Sequence, residues 1–133
     1  MAKNNENENM VWVDCEMTGL DCNKDHLLEI AVIVTDGDLN ILAEGPNLVI
    51  HQSDEILNSM NEWCVQQFSG EDGLTEKVRK SKISLEDAEK QVVEFVQKWT
   101  PKGKCPLAGN SVGADKTFLV KYMPKFMEHL HYR

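Results

Sequence analysis

The feature that most constrains this chain is an apolar segment that ends in two acids. The run from Met10 to Val13 leads directly into Asp14 and Glu16, and a Thr18-Gly19 turn follows. Alternate residues of a β-strand share a face, so the pattern predicts a strand that projects both carboxylates to one side. Two carboxylates about 5 Å apart repel by roughly 3 kcal/mol at an effective dielectric constant of about 20. The pair therefore indicates a bound cation, and we expect a pair of divalent metal ions in a nuclease-type site.

A second predicted strand end supplies a third acid. The segment from Cys105 to Ala108 is predicted to be a short strand, and Asp115 falls on the first turn of the helix that follows. Catalytic groups of open α/β sheets gather at the carboxyl ends of strands. Three carboxylates from two strand ends can hold two hard cations for phosphodiester cleavage. The plainer alternatives are that acid pairs are common and that an acid at Asp115 complements the helix dipole.

Composition limits the kind of partner. The chain has 133 residues, enough for one domain, and a net charge of −8, which argues against a protein that coats long nucleic acids. Residues 1–75 contain 15 acidic and 2 basic side chains, whereas residues 76–133 contain 7 and 12. The second half is suited to contact a few phosphates, although a solvated charged surface is the plainer interpretation. No apolar run approaches the ~20 residues that span a bilayer, so no membrane partner is expected.

The cysteines and the N-terminus indicate the compartment. The four cysteines have neither metal-finger nor redox spacing, so we expect reduced thiols and disfavour a thiol-based redox function. The segment from Met1 to Asn9 is rich in Asn and Glu and is predicted to be a disordered tail without a targeting pattern. A cytoplasmic location follows, with mitochondria as the alternative.

The remaining pattern predicts the element order β-β-β-α-α-β-α. The predicted strands are residues 10–16, 27–34, 39–50 with a kink at Gly45-Pro46, and 105–108. The predicted helices are residues 53–64, 84–100 and 112–130 with a break at Pro124, and residues 68–75 are predicted to be a loop. Antiparallel strands followed by alternating helices and a strand predict an α/β mixed sheet with helices on its faces.

The segment from Trp12 to Asp21 resembles the first exonuclease motif of the oligoribonuclease family, a branch of the DEDD exonuclease superfamily. Similar segments continue along the chain at residues 47–50, 60–64, 73–75, 105–112, 114–116 (the second motif), 122–124 and 129–133. The resemblance covers residues 10–133 and implies an exonuclease domain with a ribonuclease H-like fold. It also implies a homodimer and 3′-to-5′ hydrolysis of short oligoribonucleotides, down to dinucleotides, to nucleoside 5′-monophosphates. Two Mg²⁺ or Mn²⁺ ions would serve as cofactors.

The resemblance further implies a role for each matching residue. The metal-binding and catalytic carboxylates would be Asp14, Glu16 and Asp115. The substrate-binding groups would be Leu20 as a wedge between two bases, Trp63 as an aromatic lining of the pocket, and Ser111, Tyr132 and Arg133 on the 5′ phosphate, the last two across the dimer. The plain alternatives are a turn hydrophobe for Leu20, a helix core residue for Trp63, a helix N-cap for Ser111 and the chain end for Arg133.

One motif of the family is not matched. The third motif is a His five residues before an Asp, and none of the four histidines has an Asp at that spacing. We therefore expect a truncated domain that lacks a C-terminal strand and helix and turns over poorly, since a general base contributes about 10²–10⁴-fold. The alternative function is a non-catalytic form that binds nucleotides or pairs with other subunits.

Overall fold

The computed structural model describes residues 5–133. The elements are β1 (Met10–Met17), β2 (Leu27–Thr35), β3 (Ile41–Val49), α1 (Asp54–Asn58), α2 (Glu62–Gln67), α3 (Leu74–Lys80), α4 (Leu85–Trp99), β4 (Leu107–Ala108), α5 (Val112–Tyr122) and α6 (Pro124–His129). Among these residues, no helix combines the length and the apolar character that crossing a membrane requires.

The strands form one mixed sheet in the order β3-β2-β1-β4. The β1–β2 and β2–β3 pairs are antiparallel, and β4 lies parallel to β1. Because β1 and β4 run in the same direction, their carboxyl ends meet at one edge of the sheet. The predicted α/β class with a mixed sheet is confirmed.

Alternate residues of strand β1 face the hydrophobic core and the side that carries the two acids. Val11, Val13 and Cys15 are buried in the main core, whereas Asp14 is exposed and Glu16 is half-buried on the opposite face. Burying an aliphatic side chain contributes roughly 1.5–3 kcal/mol, so this register is strongly fixed. A shift of one residue would bury both acids and expose the apolar residues.

Helix α4 begins and ends close to the predicted boundaries. The Ser84 hydroxyl caps it by accepting a hydrogen bond from the Asp87 amide at 3.0 Å. Its apolar stripe, Ala88, Val92 and Val96, is completely buried against the sheet. A capped amphipathic helix of this kind is stabilised mainly by its buried face.

The first predicted helix, residues 53–64, is wrong as a single element, because this segment forms two short helices, α1 and α2. Asn61 interrupts the apolar periodicity by capping α2, where its side chain accepts a hydrogen bond from the Cys64 amide at 2.9 Å. The predicted loop at residues 68–75 also ends early, because α3 already begins at Leu74. The local capping chemistry of Asn61 therefore prevails over the helical spacing.

The third predicted strand is shorter than expected but passes through Gly45-Pro46 without a break in β3. A Cβ atom at Gly45 would lie 2.5 Å from the Phe95 ring and 2.7 Å from the Val32 carbonyl oxygen. The glycine therefore lets α4 approach β3 closely, and the irregularity appears as shifts in the β2–β3 register.

Part of the predicted disordered tail is folded. Residues 1–4 of that tail lie outside the described residues. Residues Glu6–Glu8 form a 3₁₀ turn, and the buried Asn9 side-chain amide donates to the Trp99 carbonyl at 2.9 Å. This contact with the end of α4 could not be read from the polar composition of the segment.

Candidate active site

The structure places the three predicted carboxylates at the joined ends of β1 and β4. Asp14 and Glu16 project from β1, and Asp115 lies on the first turn of α5, which follows β4. The Asp115 Oδ2 atom accepts a hydrogen bond from the Cys15 backbone amide at 3.3 Å. Because Cys15 lies between the other two acids, this bond holds the third carboxylate beside them.

The electrostatics of the group follow from this crowding. Burial raises the pKa of Glu16, and the neighbouring charges of Asp14, Glu29 and Asp115 raise it further. Burial also raises the pKa of Asp115, the Cys15 amide lowers it, and the charge of Asp14 raises it. The charge of Asp14 thus opposes the ionisation of both Glu16 and Asp115, which a bound cation would relieve.

These side chains fit a hard divalent cation by their chemistry. All the donor atoms are carboxylate oxygens, which Mg²⁺ and Mn²⁺ prefer. Among residues 5–133, no group of three or more His, Cys, Asp or Glu side chains is placed so that it could hold a metal ion. Mg²⁺ is usually bound by one or two carboxylates together with waters and substrate phosphates, so a closed set of protein ligands is not required.

A cleft of about 480 Å³ is lined by two of these acids, Glu16 and Asp115. Ser111 and several apolar side chains share its lining. The complete lining is Cys15, Glu16, Met17, Gly19, Leu20, Asn61, Trp63, Cys64, Phe68, Ser111, Ala114 and Asp115. The volume lies within the range of small-ligand sites. A lining that is partly charged and partly apolar suits a nucleotide better than it suits a wholly polar or a wholly apolar metabolite.

Two large apolar side chains in this cleft are exposed to solvent. Leu20 is 83% exposed and Trp63 is 67% exposed. The interpretation of Trp63 as a helix core residue is therefore wrong, because its neighbour Cys64 occupies the buried position on α2. Exposed apolar groups that line a cleft indicate a contact surface for a ligand.

Ser111 stands before the first residue of α5 in an unusual conformation. Its backbone is left-handed, with φ 55° and ψ 37°, and its side chain makes no capping hydrogen bond. Ser111 thus occupies the N-cap position of α5, as that alternative predicts, but its side chain does not cap the helix. A non-glycine residue in this region is strained by about 1–3 kcal/mol, and such strain is often found at functional sites.

Three predicted site residues lie outside the cleft lining. Asp14 is exposed beside the cleft on the same face of β1 as Glu16. Tyr132 is 78% exposed and Arg133 is exposed near its ring, and neither lines the cleft of its own chain. The Lys116 ammonium group donates to the Tyr132 carbonyl at 3.3 Å, which ties this end of the chain to α5.

Thr18 and Asp25 form a buried polar pair that sequence reasoning missed. The Thr18 hydroxyl donates to Asp25 Oδ1 at 3.1 Å, and both side chains are at least 92% buried, with exposed fractions of 1% and 8%. They close the turn that carries Leu20. The signal in the sequence was weak: Asp25 lies just before an apolar strand, where an acid needs hydrogen bonds to be buried.

Both thiols of the cleft lining have raised pKa values. Burial raises the pKa of Cys15, and the charges of Asp115, Asp14 and Glu16 raise it further. Burial also raises the pKa of Cys64. Thiolates are the reactive form, so these shifts disfavour redox or nucleophilic chemistry at either thiol.

A second, larger depression of about 810 Å³ lies between α1, α2 and α3. It contains none of the three site acids. The Arg79 guanidinium at its wall is already paired with Asp54 and Glu76. Volume alone does not identify a candidate site, and it is the smaller cleft that Glu16 and Asp115 line.

A mixed sheet with clustered acids at its strand ends, beside a cleft with exposed apolar residues, defines a nuclease of the ribonuclease H-like fold class. A family model described as Exonuclease matches residues 11–133. The chain is 61% identical over 130 residues to a probable oligoribonuclease of Dictyostelium discoideum, covering 98% of this chain and 68% of that protein. The chain therefore belongs to the exonuclease family and, within it, to the oligoribonucleases.

Other relatives agree. The chain is 60% identical to a mitochondrial oligoribonuclease of Homo sapiens, covering 95% of this chain and 53% of that protein. It is 55% identical to an oligoribonuclease of Haemophilus influenzae, covering 96% of this chain and 70% of that protein. The chain thus spans about half to two-thirds of the length of these relatives. Exonuclease I of E. coli, solved with a dT13 oligonucleotide, shares the fold at 16% identity and a TM-score of 0.69, over 90% of this chain and 24% of that chain.

Proposed function

We propose that this protein hydrolyses short oligoribonucleotides, down to dinucleotides, from the 3′ end to nucleoside 5′-monophosphates. The observation that carries the proposal is the single cleft that joins the acids Glu16 and Asp115 to the exposed apolar groups of Leu20 and Trp63. The names of the relatives at 55–61% identity support it. A cleft of about 480 Å³ and a net charge of −8 both suit a very short substrate better than a long polyanion.

Asp14, Glu16 and Asp115 would hold two divalent cations, Mg²⁺ or Mn²⁺. When bound, such ions activate a water and stabilise the leaving oxygen of a phosphodiester. The contribution of the chain is to present the carboxylates on rigid elements. Asp115 is held by the Cys15 amide at 3.3 Å, and Glu16 is fixed by the β1–β2 ladder.

Leu20 and Trp63 would contact the bases. Both are large, apolar and exposed at the same cleft, on the β1–β2 turn and on α2. Stacking of a base on an aromatic side chain is worth about 1–3 kcal/mol and accepts every base. The site would therefore recognise the length of the substrate rather than its sequence.

Ser111 would contact the 5′ phosphate, because its hydroxyl makes no capping bond and it stands in the cleft at the N-terminus of α5. Tyr132 and Arg133 would reach the same phosphate from a second copy of the chain. Their positions outside the cleft of their own chain support a homodimer. A guanidinium fork binds phosphate in a bidentate manner, which suits this role.

The test is cleavage of a 5′-labelled RNA dinucleotide in the presence of Mn²⁺. The relatives are longer than this chain, so the assay should use both the 133-residue chain and the complete product of its gene. We expect Asp14→Ala to reduce cleavage at least about 100-fold, because it removes a metal ligand. The matched control is Asp38→Ala, an exposed acid in the β2–β3 turn. Equal cleavage by both variants would refute the proposal.

The second candidate is a form that binds nucleotides or pairs with other subunits without turnover. It is favoured because, among residues 5–133, no group of three His, Cys, Asp or Glu side chains is placed to hold a metal ion, while the cleft has a largely apolar lining. Equilibrium binding of the dinucleotide with Ca²⁺ in place of Mn²⁺ separates the candidates. Binding without cleavage by the complete gene product in Mn²⁺ would support the second.

We infer a reducing compartment for this activity. All four cysteines are free, and two of them lie in the cleft lining. The cytoplasm is our first choice, and the printed names of two mammalian relatives make mitochondria the alternative.

A further inference from the structure

We propose that Asp25 is a positioning residue that sets the place of Leu20 in the cleft. Leu20 is on an exposed turn, yet the residues around it are held by a buried network. The inference rests on the proposed function, in which Leu20 contacts the bases. Asp25 lies outside the cleft lining, and none of the active-site roles proposed above involves it.

The Asp25 carboxylate uses both its oxygens to close the turn. Oδ1 accepts from the Thr18 hydroxyl at 3.1 Å, and Oδ2 accepts from the Asp21 backbone amide at 3.0 Å. Thr18 and Asp21 flank the segment Gly19-Leu20. One carboxylate therefore holds the chain on both sides of Leu20, and its burial makes each hydrogen bond costly to lose.

Backbone bonds complete this closure. The Thr18 amide donates to the His26 carbonyl at 2.9 Å, and the His26 amide donates to the Thr18 hydroxyl at 3.0 Å. The Asp25 amide donates to the Asp21 carbonyl at 2.7 Å. The Thr18 hydroxyl is thus a donor to Asp25 and an acceptor from His26, which fixes its rotamer.

The space beside Gly19 is filled by the same carboxylate. A Cβ atom at Gly19 would lie 2.4 Å from Asp25 Oδ2. The turn backbone therefore packs directly on the acid, with no side chain between them. This contact prevents the backbone at Gly19 from moving toward Asp25, and the neighbouring Leu20 lies in the cleft lining.

The turn is also tied to the far end of α5. The Tyr122 hydroxyl donates to the Asp25 carbonyl at 2.6 Å, and the Lys121 ammonium group donates to the Cys22 carbonyl at 2.6 Å. The first turn of the same helix carries Asp115. One rigid helix therefore relates the position of Leu20 to that of the catalytic acids, which sets the distance between the bases and the bond to be cleaved.

The experiment compares Thr18→Val and Asp25→Ala with Leu20→Ala in dinucleotide cleavage with Mn²⁺. Thr18→Val keeps the shape of the side chain while removing the donor to Asp25, so it serves even if Asp25→Ala does not fold. We expect Thr18→Val to raise KM about 10-fold and to change kcat less than about threefold, because the lost interaction is with bound substrate. Asp25→Asn, which keeps one acceptor oxygen, should have a KM close to that of the unsubstituted protein.

A double variant separates positioning from general destabilisation. If the network acts through Leu20, then Thr18→Val combined with Leu20→Ala should have the KM of Leu20→Ala alone. The matched control is Asp36→Ala, because Asp36 organises the β2–β3 turn through bonds to Asp38 and Asn40 at the other end of β2. We expect its KM to be unchanged. Additive effects of the two substitutions, or an unchanged KM in Thr18→Val, would overturn the inference.

A structural measurement keeps the inference testable if the protein does not cleave RNA. The Leu20 methyl groups should show lower NMR order parameters in Thr18→Val, and the Asp21 amide should exchange faster with solvent. Unchanged order parameters and exchange would overturn the positioning role. Failure of the proposed function would instead appear as no dinucleotide cleavage by the unsubstituted protein, with these structural differences intact.

Discussion

The single residue Ser111 combines a strained backbone with a position in the cleft lining. Its φ of 55° lies in the region that glycine enters freely, and its hydroxyl forms no cap with α5. Serine in this conformation is strained by about 1–3 kcal/mol relative to an ordinary backbone. Glycine would remove the strain but also the hydroxyl. The presence of serine is thus better explained by binding than by folding.

We predict that Ser111→Gly and Ser111→Ala differ in their free energy of unfolding but lose a similar amount of affinity for the dinucleotide. Both variants lose the hydroxyl that faces the proposed phosphate site, so both should bind a 5′-phosphorylated dinucleotide more weakly. Only glycine relieves the strain, and its entropic penalty offsets part of this gain, so we expect stabilisation of up to about 1 kcal/mol. Urea unfolding and equilibrium binding check the two effects. Glycine that is less stable than alanine would contradict the argument.

The crowded acids give a second prediction, which concerns pH. The pKa values of Glu16 and Asp115 are raised in the folded protein. A raised carboxyl pKa means that the folded state takes up its proton first as pH falls. The metal-free protein should therefore gain stability from these groups as pH falls from 7 through their raised pKa values toward the ordinary carboxyl range near about 4.

Thermal unfolding in EDTA at pH 7 and pH 5 measures this gain. Mg²⁺ should stabilise the protein at pH 7, where the acids are ionised, and less at pH 5. In Asp14→Asn the difference between the two pH values should shrink, because Asp14 raises both pKa values. A metal-free protein whose stability falls between pH 7 and pH 5 would contradict this interpretation of the acids.

At the scale of the elements, the β1–β2 ladder places a fourth acid beside the site. Glu16 is directly opposite Glu29 in the register, so the two side chains share a face of the sheet. Burial raises the pKa of Glu29, while Lys77 lowers it and Asp14 raises it. Like charges directly opposite each other destabilise a strand pair. The ladder thus keeps a repulsive pair next to the proposed cation site.

We predict that Glu29→Gln stabilises the metal-free protein by about 0.2–1 kcal/mol, because it removes the opposed charges. The same variant should bind Mn²⁺ more weakly, because it removes negative charge near the site. Urea unfolding in EDTA and calorimetric Mn²⁺ titration measure the two effects. The control is Glu44→Gln, an exposed β3 residue that lies opposite Ile33. Equal behaviour of both variants would remove Glu29 from the electrostatics of the site.

At the scale of the whole molecule, sequence patterns predicted the parts that depend on neighbours along the chain. The alternation of β1 and the apolar stripe of α4 each contain enough residues to define a period, and both are confirmed by burial. The helix from 53 to 64 was wrong because one side chain, Asn61, outweighed the spacing. The proximity of Asp115 to the two acids of β1 could be predicted because the strand alternation and the turn after β4 are local signals.

The remaining features depend on contacts between distant parts of the chain. Asp25 is tied to Tyr122, 97 positions away, and Asn9 is tied to Trp99, 90 positions away. No periodicity records such pairs, because each partner looks like an ordinary polar or surface residue in its own segment. The tie between α5 and the turn that carries Leu20 therefore became visible only in the fold.

The last prediction concerns the proposed homodimer. If Arg133 serves the site of a second copy, then Arg133→Ala and Asp14→Ala damage different sites of a mixed dimer. The site with intact Asp14 receives an intact Arg133 from the other copy, so one of the two sites is restored. Random mixing makes about half of the dimers mixed, which gives about a quarter of the unsubstituted activity.

Co-expression of the two variants with different tags tests this, since each variant alone should be far below that level. Activity that stays at the sum of the two separate variants would show that Arg133 acts within its own chain or not at all. A mixture of Asp14→Ala with Asp115→Ala is the matched control. Both residues lie in the same site, as the bond from Asp115 to the Cys15 amide at 3.3 Å shows. In that mixture every site retains a damaged carboxylate group, and no recovery is expected.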